Sequence, residues 1–165
     1  MKMITRTILG VALLAGFCFE TSYCFAGGFI GVSGFTLDAD EVSFHGTELN
    51  AGYRTDIVEV RGSYMVSGTD DSLYGATVEL DSMYSVMAIV NVPTEGSLVP
   101  YAMIGSTWAE VKASYRGYSA TASDTFSTYG LGLRFDARES FSLFVEAKRV
   151  GSDSNALNAG ISFNF

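Results

Sequence analysis

The side chains able to do covalent chemistry are few. His45 is the only histidine, and Asp70, Asp71 and Ser72 form a short acidic and hydroxyl run further along the chain. A histidine, a carboxylate and a serine, where a fold brings them together, are the residue types of a nucleophilic site, in which the imidazole activates the hydroxyl and the carboxylate orients the ring. Asp-Ser in a polar stretch is also ordinary turn chemistry, and His45 is expected to be a loop residue without catalytic duty. Cys18 and Cys24 are the only cysteines. No thiolate–histidine cluster, phosphate loop or nucleophile motif follows them. Asp38, Asp40, Glu41, Asp70, Asp71, Asp124 and Asp153 offer the hard oxygens that suit Ca²⁺ or Mg²⁺. Their spacing matches no defined calcium loop, so neither a metal nor another cofactor is expected.

A second set of ionisable residues has a regular placement. In an extended chain successive side chains alternate between faces. Glu48, Arg54, Glu59, Arg61, Glu79, Asp81, Glu110, Lys112, Arg134, Asp136, Glu146 and Lys148 then all fall opposite the apolar residues of their segments. Both signs are mixed among many Gly and Ser, as an ion-pair network between close-packed strands requires. A solvent face carries Lys and Glu more freely.

The elements that would position these charges are short. The chain has 165 residues, enough for one domain, with 48% hydrophobic and only 17% charged residues. Lys2 and Arg6 precede an apolar run over 8–19, the form of an export signal, with cleavage expected after Ala26. Beyond it no apolar run approaches the 18 or so residues of a membrane helix, so the apolar content is dispersed. It falls into eight alternating segments, over 28–37, 44–54, 57–68, 78–92, 98–115, 126–136, 141–148 and 158–165. Short turns follow the second, fourth and sixth. Longer connections are expected over 38–41, 68–75, 116–124 and 151–155, the third of these being the longest.

Alternation alone permits an apolar face turned inward, as in a soluble barrel, or outward, as in a membrane barrel. The export signal, the mixed charges and the even segment count with alternating short and long connections favour the outward arrangement. On this reading Val78, Leu80 and Tyr84, and then Val99, Tyr101 and Met103, face lipid, with Ala159, Ile161, Phe163 and Phe165 of the final NAGISFNF beside them. Trp108 conflicts with it. Its parity with Glu110 and Lys112 puts it inside, whereas a lone tryptophan near a strand end joins an interfacial belt; a β-bulge near Ser106 would reconcile the two.

Over 27–165 the chain resembles the small outer-membrane β-barrel family that includes the transmembrane domain of outer membrane protein A and the opacity-type porins. The stretches VPYAMIGSTWAEV, YGLGLRFDARESFSLFVEAKRV and NAGISFNF carry the resemblance. The resemblance implies an all-β, eight-stranded antiparallel up-and-down transmembrane barrel with both termini periplasmic and a filled interior. It implies an assembly signal at Asn158, Gly160, Phe163 and Phe165, read by the barrel-assembly machinery. Aromatic belts would form from Tyr53, Tyr101, Phe135, Phe141, Phe163 and Phe165 on one side and Phe35, Tyr64, Tyr115 and Tyr129 on the other. Lipid A-modifying barrels also carry an N-terminal amphipathic helix, while Gly27-Gly28 leads straight into a strand. No peptidoglycan-binding domain is expected after Phe165. The expected role is structural or surface interaction, with outer loops meeting lipopolysaccharide or partners. Alternatives are a small-conductance pore, a lipid A-modifying enzyme using His45 with Asp70 and Ser72, or a soluble ligand-binding barrel. A net charge of −8 argues against a nucleic-acid partner.

Overall fold

A computed structural model describes residues 27–39, 42–68, 70–73, 76–115, 118–138 and 140–165. The proposed export signal and cleavage point lie outside the described residues, as do Asp40, Glu41, Arg116 and Glu139. The same holds for the side chains of Asp70, Asp71, Ser72 and Tyr115.

Alternation is converted into strands almost everywhere. β1 is Gly27–Ala39, β2 Val42–Arg54, β3 Val58–Gly68, β4 Asp70–Leu73, β5 Ala76–Asn91, β6 Leu98–Tyr115, β7 Tyr118–Arg138, β8 Phe141–Val150 and β9 Ser154–Asn164. Every pairing is antiparallel, in the order β3-β2-β1-β9-β8-β7-β6-β5, and β3 pairs with β5 to close the ring. β4 continues β3 along the same partner, Asp70 opposite Glu79, so nine segments make a closed barrel of eight staves. Closure removes the open edges that would otherwise leave backbone groups unpaired in lipid.

The short turns are locally determined. Thr55 N donates to Val58 O at 2.7 Å, and the Thr55 hydroxyl both donates to Val58 O and accepts from Val58 N, each at 2.9 Å. Thr94 Oγ1 donates to Leu98 O at 2.8 Å across the Pro93 turn. β8 ends at Val150 and turns at Gly151, whose φ of +67° is a left-handed conformation costly for a residue with a Cβ.

Two expected loops are strand instead. Within 116–124 the chain is already β7 from Tyr118, with Tyr118 opposite Tyr115 and Asp124 opposite Ala109. Within 68–75, β4 occupies Asp70–Leu73. The stretch from Tyr118 to Asp124 is exposed throughout and rich in Ser and Thr, because it extends past the closed ring, where neither sheet face meets an apolar phase. Polarity there reports solvent on both faces, not the absence of a strand.

Side-chain direction follows the outward-apolar arrangement, with local inversions. Ile30, Leu49, Tyr64, Val86, Val90, Ile104, Leu131, Leu133, Val145, Leu157 and Phe163 are all exposed on the outer face, and Ala159 and Ile161 share it by alternation with Phe163. Tyr101 and Met103, expected to face lipid, are only 2% and 4% exposed and point inward. Leu80 is likewise buried. Its inversion has a specific cause, a register shift between Leu80 and Ser82 against β6, which exchanges the two faces of β5 beyond that point.

The barrel interior is filled in two layers. Away from the termini, Phe35, Leu37, Phe44, Met65, Leu80, Met83, Val150 and Ala156 pack into an apolar cap, with Ala109, Val111 and Phe126 against it. Towards the termini the interior is charged and polar, with Met87, Ile89, Tyr101 and Met103 lining one wall. Four large rings fit inside because each faces a glycine on the next strand: Phe29 opposite Gly52, Phe35 opposite Gly46, Tyr101 opposite Gly132 and Phe144 opposite Gly160. At Gly132 an added Cβ would collide with the Tyr101 ring.

Candidate functional site

The interior lattice is built from β2, β3, β7 and β8. Alternation places Glu48 and Arg54 on the inner face of β2, Glu59 and Arg61 on that of β3, Arg134 and Asp136 on that of β7, and Glu146 and Lys148 on that of β8. Glu59 is fully buried and gathers three guanidinium groups: Arg54 Nε at 2.5 Å, Arg61 Nη2 at 2.7 Å and Arg134 Nη1 at 3.5 Å. Arg61 reaches on to Glu146 Oε1. β3 and β8 lie four staves apart in either direction around the ring, so this contact crosses the full diameter of the lumen.

From Glu146 the lattice continues to Lys148 at 3.7 Å, and Lys148 lies 3.7 Å from Glu48. Arg134 closes the other end on Asp136 at 2.9 Å. Four cations therefore meet four carboxylates, and the lumen carries no net charge from this set. Neutral partners satisfy the remaining valences: Tyr101 Oη donates to Glu146 at 2.7 Å, Asn158 Nδ2 to Glu48 at 2.8 Å, Arg134 to Asn91 Oδ1 at 3.2 Å and Arg54 to Asn164 Oδ1 at 2.8 Å. The Arg54 guanidinium also sits 4.4 Å from the Phe29 ring centroid. Buried charges are tolerable only when paired and hydrogen-bonded in this way.

Four of the twelve expected interior charges do not join the lattice. Glu79 and Asp81 are exposed. Glu79 stands opposite Lys112, and Glu110 opposite Ser82. The β5 register shift turns Glu79 and Asp81 outward, and β6 presents its even-numbered residues outward throughout. Trp108 settles the parity: it stacks on Tyr84, itself 48% exposed, with centroids 5.1 Å apart. Trp108, Glu110 and Lys112 thus share the outer face, and the bulge lies on β5 rather than near Ser106. The charges sit just beyond a row of Tyr64, Tyr84 and Trp108 on neighbouring strands.

Phe35 and Tyr101 leave the expected belts for the interior, while Tyr53, Phe135, Phe163 and Phe165 are exposed on the outer face. Phe163 packs edge-on against Phe141 at 5.3 Å. Of the expected assembly residues, Asn158 and Gly160 point inward, Phe163 and Phe165 outward. Phe165 N donates to Gly28 O at 2.9 Å, tying the last residue to the first strand.

The lattice residues missed from sequence are Tyr101, Asn91, Asn164 and Phe29. Asn164 carried a signal, an amide on the polar face of its strand with Asn158, whereas Tyr101 lies opposite Glu110 and Lys112 in alternation and carried none.

Space inside is small. A cavity of about 10 Å³ lies between the Glu48–Lys148 pair and the apolar cap, room for at most one water. An open vestibule of about 610 Å³ at the terminal end is lined by Arg54, Arg134, Arg138, Asp136, Asn164 and Phe165. His45 Nδ1 lies 3.0 Å from Thr36 Oγ1 on the outer face. Among the described residues no cluster of three His, Cys, Asp or Glu is placed to hold a metal ion.

Comparison with known proteins agrees with this architecture. The model of the outer membrane protein beta-barrel domain matches residues 11–165. Among solved structures, Ail, the attachment invasion locus protein of Yersinia pestis, in complex with the heparin analogue sucrose octasulfate, is 21% identical at a TM-score of 0.59 over 85% of this chain and 97% of that one. The N-terminal β-barrel domain of OprF from Pseudomonas aeruginosa is 20% identical, TM-score 0.61, over 83% and 97%. Neisserial surface protein A is 13% identical, TM-score 0.61, over 85% and 97%. At these identities the likeness concerns the fold. No curated protein matches the chain.

Proposed function

The chain belongs to the outer-membrane β-barrel family and resides in the outer membrane, and on that premise we propose that it is a non-enzymatic surface barrel whose outer rim meets lipopolysaccharide and partner proteins. The observation that carries this reading is the pairing of a closed lumen with an oversized rim. The Arg61–Glu146 contact bridges the lumen and an apolar cap seals its outer end, which disfavours a pore. β4, β5, β6 and the first half of β7 rise beyond the ring as a sheet with no counterpart on the β8–β9 side.

The outward Lys112 and Arg149, with Glu79, Asp81 and Glu110 among them, stand where lipopolysaccharide headgroups would meet the wall. Phosphates would find the cations there, and divalent ions would bridge to the carboxylates. The Ail structure holds a polyanion. In this chain the net charge is −8, so complementarity points instead to a cationic protein partner. His45 is engaged with Thr36 and serves as a wall residue. The assembly machinery would read Phe163 and Phe165, the outward aromatics at the strand end.

An epitope tag inserted between Arg116 and Gly117 should be labelled by antibody on intact cells. One inserted after Thr94 should need permeabilisation. The reverse pattern would overturn the surface reading.

A further inference from the structure

The upper half of β7 is an open sheet edge. β7 pairs with β6 from Tyr118 onward but with β8 only from Thr128. At the junction Gly151 N donates to Ser127 O at 2.8 Å. Residues 118–127 therefore have β6 on one side and, among the described residues, no strand on the other.

The direction of the free groups follows from that junction. Ser127 turns its carbonyl to the β8 side, and in an antiparallel ladder every second residue turns both backbone groups the same way. Ser119, Thr121, Ser123 and Thr125 hence aim N–H and C=O away from β6. Thr125 shows it directly, because its amide donates to Asp124 Oδ1 at 2.7 Å. Exposed edges are ordinarily blocked by Lys, Pro or bulges. Residues 118–127 contain neither Lys nor Pro, and Asp124 is their only charge.

We infer that this edge is a strand-addition site for an extended, cationic segment of a partner protein, a conclusion that rests on the surface-barrel reading and specifies how the rim binds. Backbone groups supply the ladder and alternate side chains the selectivity. Residues 70–81 and 110–127 carry six carboxylates against Lys112 and Arg116, which sets the sign of the partner's charge. A second copy in the same membrane is disfavoured. It would bring β7 running in the same direction, so only the less stable parallel pairing is open to it, and it would bring the same acidic rim. Asp124 acts as a guard that keeps hold of the Thr125 amide, so the incoming strand pairs no further than Ser123.

The test uses the full barrel in lipid nanodiscs and, as probe, an amidated decapeptide of alternating Lys and Val. Residue-resolved amide hydrogen exchange should slow by about tenfold or more at Ser119, Thr121 and Ser123, and remain unchanged at Ala120 and Ala122, which already face β6. Ser123→Pro removes an edge amide and no β6 bond. It should abolish protection while the barrel keeps its folded mobility on a detergent gel. In Asp124→Ala, Thr125 should join the protected set. Absence of protection, or equal protection in Ser123→Pro, would overturn the inference. So would protection that grows with barrel concentration and no peptide, which would assign the edge to a second copy. A surface-labelled tag at 116–117 without peptide protection refutes this site alone, whereas an unlabelled tag refutes the surface reading beneath it.

Discussion

Glu59→Gln should lower the unfolding free energy by about 3–5 kcal/mol, the range for removing one partner of a buried ion-pair network. Glu59 is fully buried and is the carboxylate on which Arg54, Arg61 and Arg134 converge. The amide keeps the shape and one acceptor but removes the charge, so three guanidiniums remain in a low-dielectric lumen with only Asp136 and Glu146 to balance them. Arg61 retains its contact with Glu146 and Arg134 its contact with Asp136; Arg54 keeps no ionised partner. Urea titration in detergent micelles, followed by the loss of the compact gel form, measures the shift. Glu79→Gln is the control, because Glu79 is exposed beyond the ring, and its midpoint should not move. Equal midpoints for the two variants would mean that the lattice contributes nothing to stability.

Leu131→Arg should destabilise the folded barrel in lipid by about 2–4 kcal/mol, the range for a cation on the lipid face near the bilayer midplane. Leu131 is 68% exposed on the outer face. It stands between Ala102 and Ala147 on the neighbouring strands, and on β7 it lies between Tyr129 and Phe135, whose rings mark the two sides of the apolar band. In a water-soluble barrel the same change would replace an exposed leucine by arginine and would be neutral. The sign therefore separates the two arrangements. Tyr118→Arg, at the tip of the β6–β7 extension and 83% exposed, should leave stability unchanged in either.

The strand pattern was legible because alternation is local. The limits of β6 at Leu98–Tyr115 and the end of β2 at Arg54 were readable from turn residues and parity alone, as was the inward set Glu48, Glu59, Arg61, Arg134 and Glu146. What failed depends on the partner strand. The shift between Leu80 and Ser82 leaves no mark in local composition, yet it moved Glu79 and Asp81 to the outer wall. Tyr101 carried the parity of an apolar face and was read as lipid-facing. Only its register opposite Gly132, with Glu146 in reach of its hydroxyl, explains why a tyrosine belongs inside. Phe35 opposite Gly46 is the same case. The extension of β7 to Tyr118 was hidden for another reason, since a strand solvated on both faces has no amphipathic period to detect. Charge position along Glu110 and Lys112 was inverted by assuming that every strand charge seeks the lumen. Beyond the aromatic row the outer face is itself polar, and charges there need no interior.

The central claim, that the apolar face meets lipid and the charges fill the lumen, is tested most directly at Trp108, the only tryptophan in the chain. Stacked on Tyr84 at the outer wall, it should be quenched strongly by phospholipids brominated close to the headgroup and less by those brominated deep in the acyl chain. A barrel recovered in the aqueous fraction, with tryptophan emission indifferent to brominated lipid, would contradict it.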